Sequence, residues 1–277
     1  MPFALKKWWS LLTAVLLLVA AAADNPQGKP EGARLTGSRS YLLFEALTRG
    51  QGVATDGQFF YFSGNYFLNK TDIETNKTVA ENPLAIPPAL LLKGGNHIGG
   101  IAYYDGTIYA PIEDGPDYLH PYIALFDAET LRYTGVCYEL PRELHIEGVP
   151  WCAVDAERGY LYTAEWSNAK ALNVFSLVDM RFVKTVPLSM TLDRIQGAVM
   201  YDGILYLSDD FGTKTVYSLN PETGEAAVAF RRNVNPENEA ESLTVLPSPG
   251  GPVFYVMDIG PKRFNMTLRE YMLDTAA

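Results

Sequence analysis

Residues 195–230 read IQGAVMYDGILYLSDDFGTKTVYSLNPETGEAAVAF. Short apolar runs alternate here with polar turns: AVMY, then Asp202-Gly203, then ILYL, a polar loop, TVYSL, the turn through Asn220 to Gly224, and AAVAF. Asp-Gly between two apolar runs is a tight-hairpin signal, because both central positions of such a turn want positive φ. The stretch therefore predicts four short antiparallel strands joined as a meander.

The same pattern recurs on both sides of it. Tyr206 in ILYL has counterparts in Tyr61 (FFYF), Tyr109 (TIYA), Tyr162 (YLYT) and Tyr255 (VFYV), a period of roughly fifty residues of the kind that marks blades or solenoid units. A turn signal precedes each tyrosine run: Asp56-Gly57, Asp105-Gly106, Asp155 to Gly159, Asp202-Gly203 and Ser248 to Gly251. Upstream of each turn lies a further strand, GVAT, GIAYY, VPWCAV, AVMY and SLTVL. Five four-stranded meanders predict an all-β, five-bladed β-propeller. A β-sandwich also has short, turn-rich strands, but nothing in it requires a tyrosine at one place in every repeat. The fifth copy runs out after its third strand near Met272, and Ser40 to Leu47 (SYLLFEAL) is a spare apolar strand, expected to close the ring as the outer strand of the last blade.

The 277 residues carry 22 Lys+Arg against 32 Asp+Glu, a formal charge of −10. With no basic block to neutralise phosphates, nucleic acid is excluded as a partner. Met1 to Ala23 combines Lys6 and Lys7, an apolar run and small residues before Asp24, the layout of a secretory signal peptide, with a retained anchor as the alternative. Residues 24–38 read as a flexible leader, and 39–277 as a single propeller domain, expected to be a secreted, extracellular or periplasmic monomer free of the membrane. Cys137 and Cys152 fall on strands of different blades and are expected to be buried free thiols.

Function on a propeller sits in the loops that lead into the innermost strands. Aligning the five lead-ins gives one column of Gln51, Gly99, Glu147, Gln196 and Glu241, and a second, two residues earlier, of Arg49, His97, His145, Arg194 and Glu239. A strand period of two would project both columns to the same side. The ends of the second strands add Asn65, Glu113, Asp114, Glu165, Asp209, Asp210 and Asp258 on that face. His97 and His145 are candidates for acid–base work with Glu147, or for structural hydrogen bonding at the blade edge. Glu147 and Glu241, with Asp209 nearby, offer oxygen ligands for Ca²⁺; the alternative is carboxylates that tie blade to blade through backbone N–H groups. Arg49 and Arg194 are candidate clamps for an anion, with Gln51, Gln196 and Glu239 as further ligand contacts. Trp151 and Trp166 in blade three read as core or rim aromatics, with stacking on a sugar as the alternative for Trp166, beside Glu165 in a loop. The partner expected is a small polar or anionic molecule, or an extracellular glycan or peptide.

Two families resemble parts of the chain. Glu147-Gly148-Val149-Pro150-Trp151, followed by VDAERGYLYTAEW, resembles a blade start of the gluconolactonase and calcium-dependent phosphotriesterase families, which are six-bladed and hydrolyse lactones or esters with a divalent cation in the channel. Gln51-Gly52-Val53, followed by a hairpin and Ser63-Gly64-Asn65, is similar to the first blade of the five-bladed plant-type glutaminyl cyclotransferases. That family's Gly-Glu-Gly of the second blade stands here as Gly99-Gly100, and its Asn-Glu-Leu-Glu of the fourth as Gln196-Gly197. The resemblances imply a metal-assisted hydrolase or a cyclotransferase; a non-catalytic glycan-, peptide- or protein-binding propeller is the competing class.

Overall fold

A computed structural model describes residues 28–274. The expected signal segment, Met1 to Ala23, lies outside the described residues. Five antiparallel sheets form the chain. Blade one is β2 (Gly52–Thr55), β3 (Phe59–Gly64), β4 (Phe67–Asp72) and β5 (Thr78–Asn82). Blade two has two short inner strands, β6 (His97–Ile98) and β7 (Ala102–Tyr104), both paired with β8 (Thr107–Glu113), then β9 (Tyr122–Asp127) and β10 (Tyr133–Glu139). Blade three is β11 (Ala153–Asp155), β12 (Tyr160–Thr163), β13 (Ala169–Ser176) and β14 (Phe182–Leu192). Blade four is β15 (Ile195–Tyr201), β16 (Ile204–Asp209), β17 (Thr215–Leu219) and β18 (Ala226–Arg231). Blade five is β19 (Glu239–Leu246), β20 (Val253–Ile259), β21 (Asn265–Leu273) and β1 (Ala33–Leu42). The innermost strands pack neighbour against neighbour, β2 on β7, β7 on β11, β11 on β15, β15 on β19 and β19 on β2, so the ring is closed. The chain is a five-bladed β-propeller.

An N-terminal strand does complete the last blade, but earlier in the chain than Ser40 to Leu47. β1 pairs with β21 from Ala33↔Leu273 to Leu42↔Asn265, and so takes in Ala33 to Ser38 of the segment expected to be a leader. Beyond it, Leu43 turns to φ 54° and Phe44–Thr48 form a short helix. The difference has a simple cause. An outermost strand covers the core with one face only, so polar Arg34, Thr36 and Ser38 serve on it, whereas Phe44-Glu45-Ala46-Leu47 is rich in helix formers.

Each repeated tyrosine fills a seam between blades. Tyr61 stacks on Tyr103 of the next blade with ring centroids 5.3 Å apart, Tyr206 meets Phe254 edge-on at 4.8 Å, and Tyr255 meets Phe60 at 4.9 Å. Tyr109 and Tyr162 lie in the apolar clusters of the two remaining seams. Burial raises the pKa of all five phenols. Two of the hydroxyls donate back to their own hairpin turn, Tyr61 to Asp56 Oδ2 at 2.7 Å and Tyr162 to Asp155 Oδ2 at 3.1 Å. A large ring with a polar tip at the edge of a seam accounts for the recurrence.

The two cysteines are free. Cys152 is buried, and burial raises its pKa; Cys137 is half-buried rather than buried. Among the described residues no helix is long and apolar enough to cross a membrane.

Candidate functional site

The residue after each lead-in column is small: Gly52, Gly100, Gly148, Gly197 and Ser242. Here the innermost strands crowd together. A Cβ on Gly99 would lie 2.0 Å from Pro150 O, and one on Gly197 2.3 Å from Ser242 Oγ. Gly100 N donates to Pro150 O at 2.9 Å and Cys152 N to Gly100 O at 3.0 Å, a direct backbone link between blades two and three. The channel is thereby divided. One part is walled by the strands themselves, including Val53, Ile101, Val199 and Leu243; the other is a cavity of about 270 Å³ at the lead-in face.

A chain of hydrogen bonds crosses four blades beside that cavity. Gln51 Nε2 donates to Glu241 Oε1 at 3.4 Å, Gln51 Oε1 faces His97 Nε2, and His97 Nδ1 lies 2.9 Å from Glu113 Oε1. Glu113 Oε2 then accepts from Val149 N at 2.8 Å. With its amide so oriented, Gln51 accepts from a protonated Nε2, while Nδ1 faces the Glu113 carboxylate. Strand pairing fixes this geometry, since His97 on β6 is the register partner of Glu113 on β8. Glu241 is fully buried, and burial foremost, then Glu239 and Asp210, holds its carboxyl well above the usual range.

The rest of the lining comes from blades three to five and from loops. Glu147 Oε2 accepts from Ser167 N at 3.0 Å and Ser167 Oγ at 2.5 Å. Glu165, whose pKa burial raises, accepts from Ile146 N at 2.8 Å and Glu147 N at 3.2 Å and so fixes the lead-in of blade three. Glu239 pairs with Arg263 Nη2 at 2.5 Å. Gln196, Asn65, Tyr118 and Trp166 complete the wall.

The second lead-in column splits apart. His97 and Glu239 line the cavity; Arg49, His145 and Arg194 do not. Arg49 is buried in the seam between blades one and five, its guanidinium 4.8 Å from the Tyr41 ring centre and bonded to Thr78 Oγ1. His145 is fully buried, with Nδ1 2.9 Å from Pro141 O and Nε2 2.8 Å from Thr163 Oγ1, and burial lowers its pKa. Arg194 pairs with Asp210 and packs over the Trp166 ring at 5.3 Å. Strand periodicity fails at all three for one reason: the backbone there is not extended. Arg49 ends the Phe44–Thr48 helix, His145 ends a 3₁₀ turn (Arg142–Leu144), and Arg194 has φ 52°.

The carboxylates expected to hold Ca²⁺ are not assembled as a set. Glu147 lines the cavity and Glu241 lies behind Gln51, while Asp209 is buried and accepts from Thr215 N at 2.6 Å. Among the described residues no group of three or more His, Cys, Asp or Glu is placed to hold a metal ion. Two acids of the ring instead accept backbone N–H groups from the following blade, Glu113 from Val149 N and Asp210 Oδ1 from Ala240 N at 2.8 Å.

Two wall residues, Tyr118 and Arg263, and Ser167, which holds Glu147, escape the repeat alignment because they sit in loops of unequal length. Extending the second-strand column past Glu113, Glu165 and Asp258 into the loops that follow would have reached all three.

The fold and the site define a propeller with a polar chamber at one mouth of its channel. No family model matches the chain, and no curated protein matches it. Among solved structures it is similar to the hydrazine synthase of Kuenenia stuttgartiensis (14% identity, TM-score 0.46), covering 80% of this chain and 58% of that one. It is also similar to a chain of a mitotic checkpoint complex (11%, TM-score 0.41, 80% and 74% covered) and to the WD40 domain of Neurospora crassa Pan2 (11%, TM-score 0.41, 81% and 63% covered). This chain thus spans less than two thirds of the hydrazine synthase chain, and likenesses this distant carry no argument about activity.

Proposed function

We propose that the protein binds a small hydroxyl- or amine-bearing molecule in the chamber at the channel mouth. One observation carries this reading. Three carboxylates (Glu113, Glu147, Glu239) and three amides (Gln51, Asn65, Gln196) line it, against one guanidinium (Arg263) and one imidazole (His97). Glu113 is engaged by His97 and Glu239 by Arg263, whereas among the described residues Glu147 pairs with no cation and its carboxylate is held by Ser167. A ligand that donates hydrogen bonds gains more here than an anion, whose expected clamps, Arg49 and Arg194, are engaged elsewhere. Trp166 and Tyr118 add flat apolar faces that suit a sugar ring, and the volume suits a single ring. The layout of Met1 to Ala23 supports an exported protein that meets an extracellular or periplasmic glycan or polyol.

Binding is preferred over hydrolysis because both nitrogens of His97 are already engaged and His145 is sealed from the chamber. Titration calorimetry with neutral monosaccharides and amino sugars tests the reading. Glu147→Gln should weaken binding about tenfold, the worth of one charge-assisted hydrogen bond, with the melting temperature unchanged. If no sugar or amine binds, or if carboxylates and phosphates bind the chamber instead, the reading fails.

A further inference from the structure

Beside the chamber lies a second cavity, of about 200 Å³, and Gln51, Asn65 and Arg263 line both. Its remaining walls differ in kind from the chamber's. They are Ala46, Leu47, Gly50, Tyr66, Phe67 and Ile259, whose side chains bring one polar group between them, the Tyr66 hydroxyl. The short helix Phe44–Thr48 shapes this annex. It buries Ala46, which with buried Ile259 lies at the inner side, and leaves Phe44 62% and Leu47 58% exposed. Three residues apart on a helix, Phe44 and Leu47 share its outward face. Phe44 meets Phe67 edge-on with ring centroids 5.9 Å apart, so apolar surface continues from the annex wall to the rim. Single exposed apolar side chains are ordinary on a protein, whereas a contiguous patch joined to a binding cavity marks a place where something docks. Of the residues common to the two cavities, Asn65 and Arg263 are exposed and Gln51 is half-buried, so a molecule seated in the chamber reaches the annex across the open face.

We propose that the chamber's ligand is a glycoside, with its sugar in the chamber and an apolar aglycone of about one ring in the annex. The inference rests on the sugar-binding reading of the chamber and narrows the class of molecule within it. A second sugar in the annex would set most of its hydroxyls against Ala46, Leu47, Phe67 and Ile259, which offer side chains with no hydrogen-bonding group. An apolar group gives up nothing there and removes apolar surface from water. Tyr66 and Phe67 also present rings to it.

The test is calorimetric titration with the methyl and phenyl glycosides of glucose, galactose and glucosamine, in both anomers, with cellobiose and lactose as controls. For the sugar that the chamber accepts, the phenyl glycoside should bind about tenfold more tightly than the methyl glycoside, the gain that partial burial of one ring supports. The deciding variant is Leu47→Ser with Tyr66→Ser, two exposed positions that line the annex and not the chamber. It should bring the phenyl glycoside down to the affinity of the methyl one, leave the methyl glycoside as in the parent, and leave the melting temperature in place. Equal binding of methyl and phenyl glycosides overturns the aglycone site while the chamber reading stands. A phenyl gain that survives in the variant places the ring elsewhere and overturns it too, as does a disaccharide that gains as much as the phenyl glycoside. If no glycoside of either kind binds, the chamber reading falls and this inference with it.

Discussion

Glu113 holds His97 Nδ1 at 2.9 Å with one oxygen and the Val149 amide at 2.8 Å with the other, so a single carboxylate both orients the imidazole and fastens blade two to blade three. Glu113→Ala loses both bonds and strands a buried N–H; the expected loss is about 2–3 kcal/mol in urea unfolding. Glu113→Gln keeps an oxygen for Val149 N and turns its NH₂ toward Nδ1, which suits the tautomer that Gln51 selects. That variant should stay within about 1 kcal/mol of the parent. Equal losses for the two variants would show that the negative charge itself, rather than the bonding pattern, is what the site requires.

The buried Glu241 sets a pH dependence of one sign. Its folded pKa stands well above the ordinary 4.5, so the folded state holds the proton more tightly than the unfolded chain. Stability from this group is therefore present at acid pH and declines as pH rises above the ordinary value toward the folded one. Glu241→Gln keeps an acceptor for Gln51 and cannot ionise. Urea midpoints measured from about pH 5 to 8 should fall less for the variant than for the parent. A steeper fall in the variant would contradict the assignment.

His145 works in the opposite direction. Burial lowers its pKa below the ordinary 6.5, so the unfolded chain takes up a proton that the folded one refuses. Its stabilising effect is complete above about pH 6.5 and is lost progressively as the solution is acidified below that. His145→Gln should cost about 1–2 kcal/mol at neutral pH through its bonds to Pro141 and Thr163, flatten the acid limb, and leave binding in the chamber untouched. A change in chamber affinity equal to that from a His97 variant would return His145 to the site.

The architecture was legible because it rests on repetition. A tyrosine that fills a seam must recur once per blade, and Tyr61, Tyr109, Tyr162, Tyr206 and Tyr255 do so. The chamber was legible where the lead-in runs into its strand without a local twist, and at Glu147, which reaches it from a turn. Gln51, His97, Glu147, Gln196 and Glu239 line it, while Arg49, His145 and Arg194 leave it through a helix end, a 3₁₀ turn and a positive φ. Such local turns follow from loop packing, which a five-row alignment does not see. β1 was placed too late in the chain for a related reason: apolar content marks buried faces, and an outer strand has only one.

The small residues between the two parts of the channel were in plain view in the sequence as Gln51-Gly52, Gly99-Gly100, Glu147-Gly148 and Gln196-Gly197, and they yield the sharpest test of the pinch. Gly99→Ala puts a methyl 2.0 Å from Pro150 O, a backbone atom held by its bond from Gly100 N, so no side-chain rotation relieves the clash. Blade two would have to move away from blade three, taking with it the Glu113 to Val149 bond. The expected cost is at least about 3 kcal/mol, at the upper end for overpacking. Gly106→Ala is the control, because its Cβ meets nothing within 4 Å and its φ of 73° costs only local strain, about 1 kcal/mol. Melting temperatures of the two variants should therefore separate widely, with Gly99→Ala the lower. Similar values for both would mean that the inner strands can spread, and that the chamber floor is not the rigid backbone layer on which the bonding of Gln51 and His97 depends.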